Sequence, residues 1–449
     1  MRLSPAFRLA AAAWLVASGE AFLPAAHRRV GVRRSADARR SGAPPPLMMG
    51  MDLPDGSLVA LVTPMTASGG VDIPGLRELL QWHKAEGTDG VVILGTTGEA
   101  SGLSDLEKGE VMAATREELG GKLPIIVGTG TISTTATIEA TKQAKLFGAD
   151  AVLVVTPYYV KPSQAGLLHH FTQIADASEL PLILYNVPGR TGVDMSVETT
   201  VALSRHPMIR GLKDATGDNA RVSPMRAVCG EGFKLYSGED AMARDYVLQG
   251  GDGCISVTAN VAPAAVAKVM ACANAGDAAG ANAADAPLAA LHRDLFCEAN
   301  PIPVKWALAK MGKVTDSIRS PLVSLGAKFH ARVESALQTA SLIDGEPASG
   351  SEGWPSRDLL LQGHLFDQSL INQALDIIER AGGDFEIQEF SVQPNDQRSE
   401  FNFKRTSSVA IRLFAVNVAA LDDITSRLYA LVDVLESAEG KLTEIPAAA

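Results

Sequence analysis

From residue 57 onward, apolar runs of five to seven residues recur, each followed by a loop and an amphipathic stretch. They are SLVALVT (57–63), GVVILG (90–95), LPIIVG (123–128), AVLVVT (151–156), LPLILYN (180–186), IRGLK (209–213), FKLYSG (233–238) and GCISV (253–257). The runs favour β-branched residues and do not alternate with polar ones, which is how strands buried on both faces read. Helical candidates lie between them, such as 104–119, where Ser104 and Glu107 stand at capping-box spacing. Strands alternating with helices imply parallel pairing through right-handed crossovers. Eight such units over about 200 residues predict a closed (β/α)8 TIM barrel. An open doubly wound sheet is the alternative, but no GxGxxG opens a helix after the first run.

The pattern breaks at 345–356, GEPASGSEGWPS, a Gly/Ser/Pro-rich linker. Beyond it the chain starts again. RDLLLQGHLF, DFEIQEFSVQ and SSVAIRLFAV read as strands, and SLINQALDIIERAGG and LDDITSRLYALVDVL as helices. Strand, helix, strand, strand, helix is the order of a small ferredoxin-like α+β domain. His364 and Asp367 at its first turn read as ligands or, more simply, as a helix cap. The organisation expected is therefore a leader at 1–50, a barrel with a C-terminal helical tail at 51–344, the linker 345–356, and a small domain at 357–446.

Charge changes the picture at the N-terminus. The chain of 449 residues carries a formal −11, yet residues 1–50 hold eight arginines against Glu20 and Asp37. The first fifty residues are thus +6 and the rest −17, which speaks against nucleic acid or an anionic membrane as a partner of the mature protein. Within the leader, LAAAAWLVA (9–17) follows Arg2 and Arg8 and is too short to span a bilayer. Small residues Gly19 and Ala21 precede Phe22, and LPAAHRRVGVRRSADARRSG (23–42) has transit-peptide composition. The whole resembles the bipartite plastid-targeting presequences of algae with secondary plastids, with maturation expected within 41–50. Plain secretion is the alternative. The four cysteines, 25, 18 and 25 residues apart, fit neither a zinc knuckle nor a disulfide scaffold.

A barrel builds its site where the strands end at their C-terminal face. The letters there are Thr63-Pro64, Thr96-Thr97-Gly98-Glu99, Thr156-Pro157-Tyr158-Tyr159, Tyr185-Asn186, Lys213-Asp214, Gly238-Glu239 and Ile255-Ser256. They contain no histidine and carboxylate cluster of the kind that holds a metal, and no cofactor is called for. Lys213 stands out, because burying an unpaired ammonium is costly. Burial disfavours the charged form, and a free amine forms a Schiff base with a ketone or aldehyde. Imine chemistry moves several protons, so an acid–base group must stand close. Tyr185, one strand before Lys213, suits that task, and Thr97 and Tyr159 extend it into a relay. The hydroxyls and amides of GTTGE suit an α-keto acid's carboxylate. Simpler readings exist: Lys213 paired with Glu99 or Asp214, Tyr158 and Tyr159 as packing aromatics, Thr96-Thr97 as a strand cap. The coincidence of all these letters at successive strand ends favours chemistry.

GTTGE (95–99), TPYY (156–159), YNVPGRTG (185–192), GLKDATG (211–217), SGED (237–240), ISVTANV (255–261) and NPIPVKWAL (300–308) together resemble the dihydrodipicolinate synthase family over about 53–344. The resemblance implies condensation of pyruvate with L-aspartate 4-semialdehyde, the first committed step of lysine biosynthesis by the diaminopimelate route. It makes Lys213 the Schiff-base residue, Tyr185 the proton donor and acceptor, and Thr97 the bridge to a Tyr159 lent by a neighbouring subunit of a homodimer or homotetramer. Thr96 supports the relay, Thr97, Gly238 and Ile255 contact pyruvate, and Arg190 receives the second substrate's carboxylate. A sibling aldolase acting on a sugar acid shares Lys213 and Tyr185, though NVPGRTG argues against it, and a non-catalytic sensor would keep only the barrel. Lysine-inhibited members carry a histidine or tryptophan, an asparagine and a glutamate in an interface pocket. Here Asp105, Ile132 and Ala136 stand instead, with Ala100 where a serine is common, so weak lysine feedback is expected. GHLFDQSLINQALDIIERAGGDFEI (363–387) resembles the small conserved domain of bifunctional lysine-ketoglutarate reductase/saccharopine dehydrogenases, implying an amino-acid sensor or an assembly module.

Overall fold

A computed structural model of the chain describes residues 53–345, 354–363, 365, 370–391, 407–415, 417–434 and 440–445. The leader, most of the linker, and His364 and Asp367 lie outside the described residues. The apolar runs become β1 Gly56–Ala60, β2 Gly90–Ile93, β3 Ile125–Gly128, β4 Ala151–Val155, β5 Leu182–Asn186, β6 Ile209–Asp214, β7 Lys234–Ser237 and β8 Gly253–Ser256. Neighbours pair in parallel and β8 returns to β1, so the eight strands close into the expected barrel. Thr63, Gly95 and Thr156, the last letters of three runs, leave the ladder and form the rim. Leu58, Ala60, Val92, Ile126, Leu153, Ile183 and Ile255 fill the interior. Val59, Val91, Ile93, Val127, Val152 and Leu184 face the helical layer. Two apolar faces explain why the runs do not alternate.

The helices of that layer are α1 Ile73–Ala85, α2 Asp105–Leu119, α3 Thr134–Leu146, α4 Gln164–Ala177, α5 Val197–Leu203, α6 Val222–Cys229, α7 Asp240–Leu248 and α8 Pro263–Asn274. Short polar residues start several of them: Asp72, Ser133, Ser163 and Ser196 each accept from an amide in the first turn. The capping box expected at α2 is present in full, Ser104 and Glu107 each accepting from the other's amide. A helical tail follows, with α9 Ala278–Asp285, α10 Ala289–Asp294, α11 Ile302–Lys310 and α12 His330–Thr339. Val304, Leu308, Val333 and Leu337 tie it into the outer core.

After the linker come β9 Ser356–Gly363, α13 Leu370–Arg380, β10 Asp384–Ser391, β11 Ser407–Phe414, α14 Val418–Val434 and β12 Lys441–Glu444. The sheet is antiparallel in the order β10-β11-β9-β12, the ferredoxin-like arrangement. β12 is an addition to the expected elements. Leu359, Leu361, Ile378, Val409, Ile411, Leu413, Ile424 and Leu428 give this domain a core of its own. All four cysteines are free thiols, Cys254 and Cys272 buried, Cys229 and Cys297 half-buried.

Candidate active site at the barrel mouth

β6 places Lys213 in register with Tyr185 on β5 and Tyr236 on β7. Residues paired across a ladder share a face, and Tyr185 and Tyr236 belong to the interior cluster. Lys213 therefore points into the barrel, 6% exposed, with its Nζ 4.6 Å from the centroid of the Tyr185 ring. The carboxylates that a structural reading would give it are taken. Glu99 meets Lys305 at 2.5 Å, and Asp214 meets Arg221 at 3.0 Å. Among the described residues no ion pair holds Lys213. Glu239 is the nearby acid: burial pushes its carboxyl up, while the charges of Lys213 and Arg190 draw it down.

Gly238 closes over this lysine. Its amide donates to the Asp214 carbonyl at 2.7 Å, and a Cβ there would lie 2.7 Å from Ala215 Cβ and 3.0 Å from Lys213 Cε. Only glycine leaves that space free. Beside it, Ile255 is fully buried at the end of β8. Asp240 holds the turn beyond by accepting from the Ser256 hydroxyl and from the amides of Val257 and Thr258 at 2.9 and 3.1 Å.

The loop after β2 separates its two threonines: Thr97 is buried and Thr96 is exposed. Thr63 Oγ1 donates to the Gly98 carbonyl at 2.7 Å, and Glu99 adopts a left-handed φ of 54°. That strained conformation is held from the helical tail, by Lys305 on one oxygen and by the Arg319 amide on the other at 3.1 Å. Asn300 Nδ2 donates to Thr97 Oγ1 at 2.9 Å, and the Asn300 carbonyl accepts from Arg190 Nη2 at 3.3 Å. Arg190 itself sits exposed on a short helical turn, Pro188–Thr191.

Lys213, Tyr185, Thr97, Gly238 and Ile255 thus converge within one chain, with Arg190 on the rim. Tyr159 does not join them. It is 88% exposed with φ 67°, and among the described residues no hydrogen bond links Thr97 to either tyrosine. The reading of strand ends missed Asn300 and Lys305. Both lie in NPIPVKWAL, where a lysine between Val304 and Trp306 carries the same signal that singled out Lys213. A buried amine beside a phenol, with its candidate acids engaged elsewhere, suits nucleophilic capture of a carbonyl.

Residues 53–340 match the model of the Dihydrodipicolinate synthetase family, and 356–448 that of the LOR/SDH bifunctional enzyme conserved region. A 4-hydroxy-tetrahydrodipicolinate synthase of Methylococcus capsulatus is 50% identical over 288 residues, 64% of this chain and 99% of that protein. The chloride-inhibited dihydrodipicolinate synthase of Acinetobacter baumannii, solved with pyruvate, superposes with TM-score 0.64 at 50% identity, covering 64% of this chain and 99% of that one. The lysine-bound enzyme of Cyanidioschyzon merolae gives TM-score 0.63 at 34% identity, covering 64% and 99%. The barrel, the lysine at the end of its sixth strand and the match over 53–340 agree: the chain belongs to the dihydrodipicolinate synthetase family.

Proposed function

We propose that this chain is a 4-hydroxy-tetrahydrodipicolinate synthase, condensing pyruvate with L-aspartate 4-semialdehyde in lysine biosynthesis. The observation that carries the reading is Lys213, buried in the barrel mouth against Tyr185 while Glu99 and Asp214 serve other cations. The amine adds to the pyruvate ketone, and loss of water gives the imine. Loss of a C3 proton gives an enamine, which attacks the aldehyde carbon of the second substrate. That substrate's amine then displaces Lys213 and closes the ring, so one water leaves per turnover. Tyr185 passes the protons, Thr97 bridges, and Thr96 supports the relay through its loop. Thr97, Gly238 and Ile255 line the pyruvate site, and Arg190 holds the carboxylate of the semialdehyde.

The relay is completed by Tyr159 of a neighbouring copy in a dimer or a dimer of dimers. Its exposure beside exposed Tyr158 and Val160, on a left-handed backbone, supports this, since a large phenol so placed gains from being covered. The leader 1–50 directs the chain to a plastid, and the domain from 356 onward acts as an amino-acid sensor or assembly module. At the barrel, Asp105, Ile132 and Ala136 give lysine's ammonium no asparagine or glutamate to bind, so lysine inhibits weakly there.

Borohydride with pyruvate should reduce the imine onto Lys213, and the mature chain should consume both substrates in a coupled assay. Absence of trapping would favour a sensor. Trapping without consumption of the semialdehyde would favour a sugar-acid aldolase. Lysine added to the same assay, with the full chain and with one ending at 345, reports the regulation: submillimolar inhibition of the shortened chain would contradict the weak barrel site. A fluorescent fusion to residues 1–50 that is secreted would contradict the plastid address.

A further inference from the structure

Asn300 stands between the two substrate ends of the mouth, yet the chemistry above gives it no task. We propose that Asn300 is a positioning residue that orients the Thr97 hydroxyl and so sets the direction of proton transfer through the relay. The proposal rests on the Schiff-base reading.

The residue is 7% exposed, and its Nδ2 donates to Thr97 Oγ1. An amide NH2 only donates, whereas a hydroxyl has one proton of its own to give. With a lone pair of Thr97 already engaged by Asn300, the threonine proton turns outward to an acceptor in the mouth. The Tyr185 oxygen, once it has given up its proton, is the strongest such acceptor. Asn300 Oδ1 is buried and has no partner among the described residues. The end of this amide that meets the relay is therefore its donor. Its backbone carbonyl meanwhile restrains Arg190, joining the relay to the carboxylate end. The charged groups around this point are Arg190, the Glu99–Lys305 pair with Arg319, and, across the mouth, Lys213 and Glu239.

Four variants of the full chain test this. Asn300→Ala should lower kcat by at least about tenfold. Its KM for the semialdehyde should stay within about threefold, because the carbonyl that holds Arg190 remains, and borohydride should still trap pyruvate at the end point. Asn300→Asp keeps the shape but replaces the donor with an acceptor. Its kcat deficit should deepen as pH rises through the new carboxyl's titration while borohydride trapping of pyruvate holds across the same range, which structural damage from a buried charge would not leave intact. In a double-mutant cycle, adding Asn300→Ala to Thr97→Val should cost little further kcat, since both act through one hydroxyl. A kcat for Asn300→Ala within about twofold of the parent, additive losses in the cycle, or a pH-independent deficit in Asn300→Asp would overturn the proposal. Should the parent chain trap no pyruvate, the Schiff-base reading falls and this proposal with it. A parent that traps and condenses beside an unimpaired Asn300→Ala sinks the proposal alone.

Discussion

Lys305 is only 1% exposed, and among the described residues the carboxylate it meets there is Glu99. Burial pulls its pKa down while the Glu99 contact pulls it up. The pair fixes a left-handed residue two positions after Thr97, so its value lies in holding a loop as well as in its own energy. Removing one member of a buried pair strands the other charge, at about 3–5 kcal/mol. Lys305→Met should therefore lower the unfolding free energy by that amount in urea, and Glu99→Gln added to it should restore part of the loss. A single variant within about 1 kcal/mol of the parent would mean that the pair is not what holds the loop. Lys213 was legible because it ends an apolar run on the face where a barrel keeps its site. Lys305 and Asn300 were not: their partners lie about two hundred residues away, at sequence separations of 206 and 203. No local pattern records such a separation.

Strands and helices were legible wherever burial alone decided them. The apolar runs gave β1 to β8 because both faces of each strand are covered, and capping chemistry placed the start of α2. The ends were less legible, since hydrophobicity carries on past the last ladder bond into rim residues such as Thr63. β12 escaped because four residues, with Leu442 alone buried among them, are too few to show a period. Two helices also set an acid limit. His83 on α1 and His170 on α4 each hold one ring nitrogen to a threonine, Thr88 and Thr134, at 2.9 Å, while the other nitrogen is buried with no partner among the described residues. Burial pushes both imidazoles down to about 4. Above the unfolded value of about 6.5 both states are neutral and the stability is fully present. As pH falls from there towards 4 the unfolded chain gains protons that the folded chain refuses, and stability is lost, by roughly 3 kcal/mol for His83 once the fall is complete. Glu107, held near 2 by Arg319, loses its contribution in a lower window. Asp89, Asp214 and Glu239, raised by burial, work in the opposite sense. The difference between the parent and His83→Gln isolates the histidine. The parent's stability should fall more steeply between pH 6.5 and 4.5, and equal slopes would remove the assignment.

At the scale of the whole molecule, one barrel holds Lys213, Tyr185 and Thr97 but leaves Tyr159 turned to solvent. If a second copy supplies that phenol, each working site draws on two chains, and the dependence is open to a genetic cross. Take one chain with Tyr159→Phe and another with Lys213→Ala, each nearly inactive alone. In a mixed dimer the first chain keeps its lysine and receives an intact Tyr159 from its partner, which makes one complete site. The other site lacks both groups. Co-refolding or co-expression should therefore recover up to about half of the activity per mixed dimer, because one site in two is whole and chemistry at a site is independent of its twin. Were Tyr159 to serve its own chain, no mixed dimer would contain a whole site, and activity would stay at the level of the separate variants. The cross also measures what exposure alone cannot. A phenol that merely packs at an interface would leave Tyr159→Phe active by itself, whereas a phenol that relays protons makes recovery depend on which chain carries the hydroxyl.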